Sequence, residues 1–423
     1  MFGRASVRLA LTLLLGALAL TGCGGGGEEP QPRLHGTQLT VWSSLPQRGP
    51  LRELAADALA AERLALTQAG GSVGRYRVRL VALDASTPGL GRSDPAQISQ
   101  NARRAAGSPR TIAYVGELAT GTSAISVPLL NQAGILQVSP LDTALALTSR
   151  SLAVAGSPER YYPKLRELGR TFARVAPSDR SQADALLTLM RRDGVRRLAI
   201  LTDEDPSGRA LAQRVRATAR AAGIAVVARE EIDVHVPRHE DAIVRVREAR
   251  ADAALDATGA RFGAARLWRE LHAADPELRL YAPASLADAA FVAGLGAAAP
   301  VAHVTRPVLA ERDDTPAARR FARAFADRYG RAPAPEARYG YEAMRGVLAA
   351  IRRAEAGSPD GLVTRRAVVR AYFRTAPRDG VLGPYAIDAA GDTSLAGWGA
   401  YRVVGGALRF AGTLSGGGAS AER

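Results

Sequence analysis

The chain has 423 residues, a formal net charge of +15, 47% hydrophobic residues and one cysteine. A single cysteine excludes an internal disulfide framework, so burial alone must stabilise the fold. The positive charge does not point to nucleic acid, because the arginines are scattered, aromatic residues reach only 5% and no basic run is interleaved with stacking rings. Lys164 is the only lysine, so the excess is an arginine bias of composition, with weak attraction to an anionic membrane face as a secondary reading.

In chain order, Arg4 and Arg8 precede an apolar run from Leu9 to Leu20. This run is short for a mature membrane span and has the charge and length of a secretory signal. It ends in Leu20-Thr21-Gly22-Cys23, which resembles a bacterial lipobox and implies that Cys23 becomes the lipidated first residue of the mature chain. The alternative is an ordinary signal with a chance cysteine. The expected division is therefore a signal peptide over 1–22 and a flexible tether over 23–36, which carries Gly24 to Gly27. The expected location is extracytoplasmic, anchored by lipid at the outer face of the cytoplasmic membrane or in the periplasm.

From Thr37 the pattern alternates extended and helical runs. Strands are predicted at 39–42, 76–84, 111–116 and 134–139, with helices near 50–69, 95–106 and 122–132, the last kinked or broken at Pro128. A second series follows. RRLAILTD, IAVVAREEI, ADAALDATG, LRLYAPAS and VAHVTRPV read as strands between helical runs near 180–193, 206–222, 239–250, 262–274 and 286–296. Helices at 315–329, 336–356 and 363–375, the extended runs PYAIDAAGD and WGAYRVV, and a flexible tail over 413–423 complete the chain. Strands alternating with helices imply parallel sheets covered on both faces, and two doubly wound α/β lobes fit this order better than one large sheet.

Two strand ends stand out. The run TIAYV passes into GELATGTS (116–123), and GILQV passes into Ser139-Pro140-Leu141-Asp142-Thr143. Hydroxyls and glycines at successive strand ends suit a small polar ligand, because ligands of open α/β sheets sit beyond the carboxyl ends of strands. Oriented N–H groups and neutral hydroxyls can hold an anion there without a buried cation. The competing reading makes Thr120 and Thr143 simple helix N-caps.

The blocks LTVWSSLPQRGPLRELAADALAAERLALTQAGG, VALDAS, IAYVGELATGTSAISVPLLNQAGILQVSP, RTFARVAPSDRSQADAL and LAILTDEDPSGRALA, in this order and spacing, resemble the type I periplasmic binding proteins of the leucine/isoleucine/valine-binding kind. The resemblance covers nearly the whole mature chain. It implies two lobes joined by three crossing strands, closing on a solute and presenting the closed form to the permease of an ABC transporter. It implies no enzyme activity, no cofactor and no metal, and a monomer that binds a small-molecule solute. The implied lobes are 37–170 with 307–377, and 171–306 with 378–412, with crossings near Thr171, Thr305 to Pro307, and Arg378 to Gly383. Family contacts carried over by position give Thr120 and the backbone at Gly121 to the ligand carboxylate, Leu141 as a backbone contact, and Thr143 as a second hydroxyl.

The second lobe departs from the family pattern. Ser207 and Ala260 stand where amino-acid binders place tyrosines, and Ala284 where they place a glutamate for the ligand ammonium. The loss of a charge partner points away from branched-chain amino acids and towards a small organic acid or a neutral polar solute, with Arg261 as a possible second anion contact. If an ammonium partner exists, Asp288 and Glu204 are the candidates. A metal site at His235 and His239 is disfavoured by Pro237 between them. The pairs Glu204/Asp205 and Asp313/Asp314 read as exposed loop or cap residues. Zincin, Walker and GxSxG motifs are missing. The expected function is a lipid-anchored solute-binding protein of an ABC importer; the alternative is an extracytoplasmic ligand-sensing module.

Overall fold

A computed structural model describes residues 36–88, 93–233, 236–259, 261–308, 314–374 and 377–415, with only the backbone described at 261, 262 and 415. The signal peptide, Cys23, the tether up to residue 35, His235, Ala260, Asp313 and residues 416–423 lie outside the described residues.

The first sheet is built around β1 (Gln38–Leu45), which pairs in parallel with β3 (Tyr76–Asp84) on one side and β4 (Thr111–Val115) on the other. Beyond β4 come β5 (Leu136–Ser139) and β6 (Phe172–Arg174), also parallel, and the short β2 (Ser72–Val73) adds an antiparallel edge to β3. Every residue of β4 and β5 is buried; β4 accordingly runs apolar from Ile112 to Val115, while β5 buries Gln137 and Ser139 with hydrogen-bond partners. Helices α1 (Arg52–Gln68), α2 (Pro95–Gly107) and α3 (Ser123–Gln132) connect these strands. In α1 the buried Ala55, Ala58, Ala61, Leu64 and Ala65 recur every three or four residues, the spacing of one helical face.

The second sheet has the order β15-β14-β11-β10-β9-β7-β8. Its parallel part comprises β7 (Arg197–Thr202), β8 (Ala225–Glu231), β9 (Ala253–Ala257), β10 (Arg279–Ala282) and β11 (Ala302–Arg306). The strands β14 (Gly397–Val404) and β15 (Ala407–Ser415) extend it antiparallel. Helices α5 (Asp179–Arg192), α6 (Pro206–Ala219), α7 (Glu240–Glu248), α8 (Arg261–Ala274) and α9 (Ala289–Gly294) cover it, while the four-residue α4 (Leu165–Leu168) belongs to the first lobe. Each sheet reverses its winding once, between β1 and β4 and between β7 and β9. A crevice opens beyond the strand ends at such a reversal.

After β11 the chain returns to the first lobe. There α10 (Pro316–Tyr329), α11 (Ala337–Ala356) and α12 (Arg365–Phe373) put Phe321, Phe325, Met344, Val347 and Val368 into the same apolar core as Leu39 and Val41 of β1. Complete burial of side chains of this size contributes about 1.5–3 kcal/mol each.

Three sequence expectations need correction and a fourth is narrowed. The strand β6 pairs with β5 and Ala173, Val175 and Ala176 pack in the first core, so the first crossing follows Ala176 rather than lying near Thr171. The hairpin β12 (Arg378–Gly380) and β13 (Gly383–Tyr385) is no crossing, because Val381, Tyr385 and Ile387 pack in the first core; the third crossing falls between Ile387 and Gly397. Helix α3 is not broken at Pro128, which leaves the kink of the two expected outcomes; the proline removes one N–H bond from the ladder. Residues 413–415 close β15 instead of beginning a tail.

Candidate functional site

The turn after β4 and the turn after β5 are bound to each other. Asp142, with no solvent exposure, accepts the N–H of Gly121 and of Ser123 at 2.8 Å each and that of Ala144 at 3.1 Å. Its carboxylate therefore occupies the start of α3, where positive N–H ends attract an anion. The fully buried Arg174 holds the second turn from beneath, donating to the carbonyls of Asp142 and Ala144 at 2.9 Å and pairing with Asp392 at 2.8 Å. Below the first turn Glu117 accepts from the hydroxyls of Tyr114 at 2.7 Å and Ser44 at 3.0 Å; burial pushes its carboxyl up to about 8 despite these bonds. With both turns fixed, the hydroxyls of Thr120 and Thr143 meet at 3.0 Å.

Thr120 lies where two cavities adjoin. The larger, about 980 Å³, is lined by Thr120, Leu141 and Thr143 from the first lobe and by Ala284, Ser285 and Asp288 from the second. Of its three arginines, Arg306 and Arg331 pair with Glu336 and Asp57, and the exposed Arg52 lies 3.8 Å from Glu53. The smaller, about 170 Å³, is lined by Thr120, Thr122, Ser207, Thr258, Gly259 and the carboxylates of Asp179 and Asp205. Both carboxylates head helices: Asp179 is the first residue of α5, and Asp205 caps α6 by accepting from Ser207 and Gly208 at 2.9 and 2.8 Å. Burial pushes Asp179 up to about 7, with the charges of Asp142 and Asp205 adding to the effect. Burial also raises Asp205, assisted by the neighbouring Asp203 and Asp142. The small cavity therefore presents two carboxyls that hold their protons more strongly than free ones. Arg48, which also lines it, forms an ion pair with Asp84.

The sequence pattern of a periplasmic binding protein matches residues 43–407. The chain belongs to that family. Solved structures agree on the fold. A leucine-binding protein LivK of Thermotoga maritima is similar with a TM-score of 0.73 and 20% identity, over 89% of this chain and 99% of the other. A solute-binding protein from Rhodopseudomonas palustris, solved with p-hydroxybenzoic acid, gives 0.70 and 15%, over 90% and 97%. A branched-chain amino acid transporter protein of Streptococcus pneumoniae, LivJ, solved with isoleucine, gives 0.68 and 16%, over 89% and 99%. None of the curated proteins matches the chain. This periplasmic binding protein is thus a solute-binding protein with two parallel-dominated α/β sheets, from a family that binds solutes without transforming them.

Within it, Thr120, Leu141, Thr143 and Ala284 come together at the larger cavity, and Ser207 joins Thr120 at the smaller. Neither threonine is a helix N-cap: the cap of α3 is Thr122, and Thr143 precedes a 3-10 turn at Leu145–Leu147. The N–H of Gly121 does not face a ligand, because Asp142 takes it. Asp288 lines the larger cavity but caps α9, accepting from Phe291 at 2.8 Å, and Glu204 is exposed. Asp205 is a helix cap, one of the two roles expected for it, but it is half-buried at the cavity wall rather than exposed. His239 bonds Glu270 at 2.9 Å, and Asp314 pairs with Arg338. The sequence reading missed Asp142, Asp179 and Asp205 as site residues. The available signal was local: Asp205-Pro206 and Ser178-Asp179 are helix starts directly after strands, but which cavity they face depends on the other lobe.

Proposed function

We propose that this protein is the extracytoplasmic, lipid-anchored solute-binding component of an ABC importer, a monomer that captures a small amino-acid-like solute between its lobes and delivers it to the permease subunits. The observation that carries the choice of solute is the pairing of chemistries around Thr120. The hydroxyls of Thr120 and Thr143 bond each other and leave one proton between them to donate to an acid head, and Asp179 and Asp205 share a cavity with Thr120 and suit an amine. Ala284 offers no carboxylate where the family places one, but two from helix starts line the adjoining smaller cavity, so the reading shifts from organic acid towards an amine-bearing solute. A ligand that prefers the closed arrangement shifts the lobes towards it, and that form is what a permease can recognise.

Calorimetric titration of the soluble mature chain with L-leucine, its deaminated analogue 4-methylpentanoic acid and 4-hydroxybenzoate tests this. The amino acid is expected to bind at least tenfold more tightly than either acid, about 1.4 kcal/mol, and Thr120→Ala to weaken it by about 1–3 kcal/mol, the scale of a bond to a charged group. Equal or tighter binding of the acids, or no binding of leucine at millimolar concentration, overturns the amino-acid reading. The anchor is tested apart from the solute. Cys23→Ala is expected to give a folded protein that leaves the membrane fraction on carbonate washing; retention would remove the lipid anchor from the proposal.

A further inference from the structure

The two lobes touch at one point beside the small cavity, between Gly121 at the start of α3 and Ser207 in the first turn of α6. Gly121 has φ +85°, and a Cβ added there would lie 2.3 Å from Ser207 Oγ and 3.5 Å from Ser207 Cβ. Neither partner can retreat. Gly121 is bound through its N–H to Asp142, which also holds Ser123 and Ala144. Ser207 is bound through its N–H to Asp205, and α6 sits directly on the second sheet at the adjacent Gly208, where a Cβ would lie 2.0 Å from the carbonyl oxygen of Ala257.

We propose that Gly121 and Ser207 are positioning residues whose contact is the stop that sets how far the lobes close. Their role is then to meet each other rather than to touch solute, and the proposal goes beyond the transport reading because it holds for any ligand. Helix α6 makes a second contact with the first lobe, where Gln213 Oε1 accepts from the N–H of Ala153 at 3.1 Å. Six residues of helix separate the two contacts by about 9 Å, and α6 also lies against the 3-10 turn at Leu145–Leu147, so it meets the first lobe along its length. The slack at Ser207 is one hydroxyl that can rotate. A longer side chain has no such escape: it would enter the cavity of about 170 Å³ that residue 207 lines or hold the lobes apart, since packed interiors do not yield smoothly.

Lobe closure can be read without any solute. In a mature chain with Cys23→Ser, Pro50→Cys on the first lobe and Ala290→Cys on α9 place thiols on opposite sides of a cavity of about 170 Å³ that both residues line. A short bis-maleimide then traps each closure event. The parent pair is expected to cross-link, Ser207→Ala to cross-link at the parent rate, and Ser207→Leu at least tenfold more slowly with an unchanged circular dichroism spectrum. An unchanged rate in Ser207→Leu overturns the proposal, as does a parent that never cross-links. Should Ser207→Leu fail to fold, Gly121→Ala is read instead. It is expected to slow cross-linking, and Ser207→Ala to restore the rate in the double variant, because removing the hydroxyl leaves the new methyl 3.5 Å from the remaining Cβ. Strain from the positive φ alone would slow both equally, and that result also overturns the proposal.

Discussion

Asp142→Ala is expected to lower the free energy of unfolding by about 3–5 kcal/mol, since hydrogen bonds to a charged group contribute about 1.5–3 kcal/mol each and buried donors left unmade add a desolvation cost. Three N–H groups lose their acceptor at once: Gly121, Ser123 and Ala144. The loss is also positional, because this carboxylate ties the turn after β4 to the turn after β5. Thr120 and Thr143 should separate, so solute affinity should fall along with stability. Asp142→Asn keeps one carbonyl acceptor and should fall between wild type and alanine. Urea unfolding measures the effect, and a change below about 1 kcal/mol would show that water or backbone rearrangement replaces the carboxylate.

The second large effect is a stability that declines as pH rises. Glu62, on α1 and fully buried near Ser43 of β1, is pushed by burial up to about 8, with the Ser43 hydroxyl and the Arg63 charge only partly offsetting the loss of water. Its ordinary value is 4.5. A carboxyl raised on folding keeps its proton in the native state while the unfolded chain has already lost it. Its contribution to stability is therefore fully present below about 4.5, falls as pH rises, and levels off above about 8. Glu117, raised to about 8, and Asp179, raised to about 7, act in the same direction. Glu62→Gln removes the cost of ionisation, so it should raise the free energy of unfolding by about 2–4 kcal/mol at pH 8.5 and by less than about 1 kcal/mol at pH 4.5. Denaturant titration of both proteins at the two pH values checks this. Equal differences at both would mean that Glu62 does not carry the proton.

How the candidate site was legible follows from the range of the interactions involved. The turns GELATGTS and SPLDT could be found because each is a strand end rich in hydroxyls and glycine, and the resemblance of the ordered blocks named the fold. The pairing of Thr120 with Thr143 at 3.0 Å joins neighbouring parallel strands, so their closeness follows once β4 and β5 are adjacent. Ala284 lines the larger cavity and offers it no charge. What position 284 could not reveal is that Asp179 and Asp205, at other helix starts, line the smaller cavity that adjoins the larger one at Thr120.

By itself the sequence determined the two α/β lobes, the order of most strands and the hydroxyl-bearing strand ends, because apolar periodicity and turn chemistry act over a few residues. Only the tertiary structure decided where the chain crosses between lobes, since three-residue β6 is too short to announce which sheet it joins and the apolar residues Val381, Tyr385 and Ile387 in and around the β12–β13 hairpin fit either core by composition. It also decided which donors remain for a solute. Asp142 is one residue from Thr143 in sequence, yet its carboxylate is committed to Gly121 and Ser123 about twenty residues earlier. The same holds for Gly121 and Ser207, 86 positions apart: whether a glycine is there for its own turn or for a neighbour's approach depends on a second lobe that local sequence does not encode.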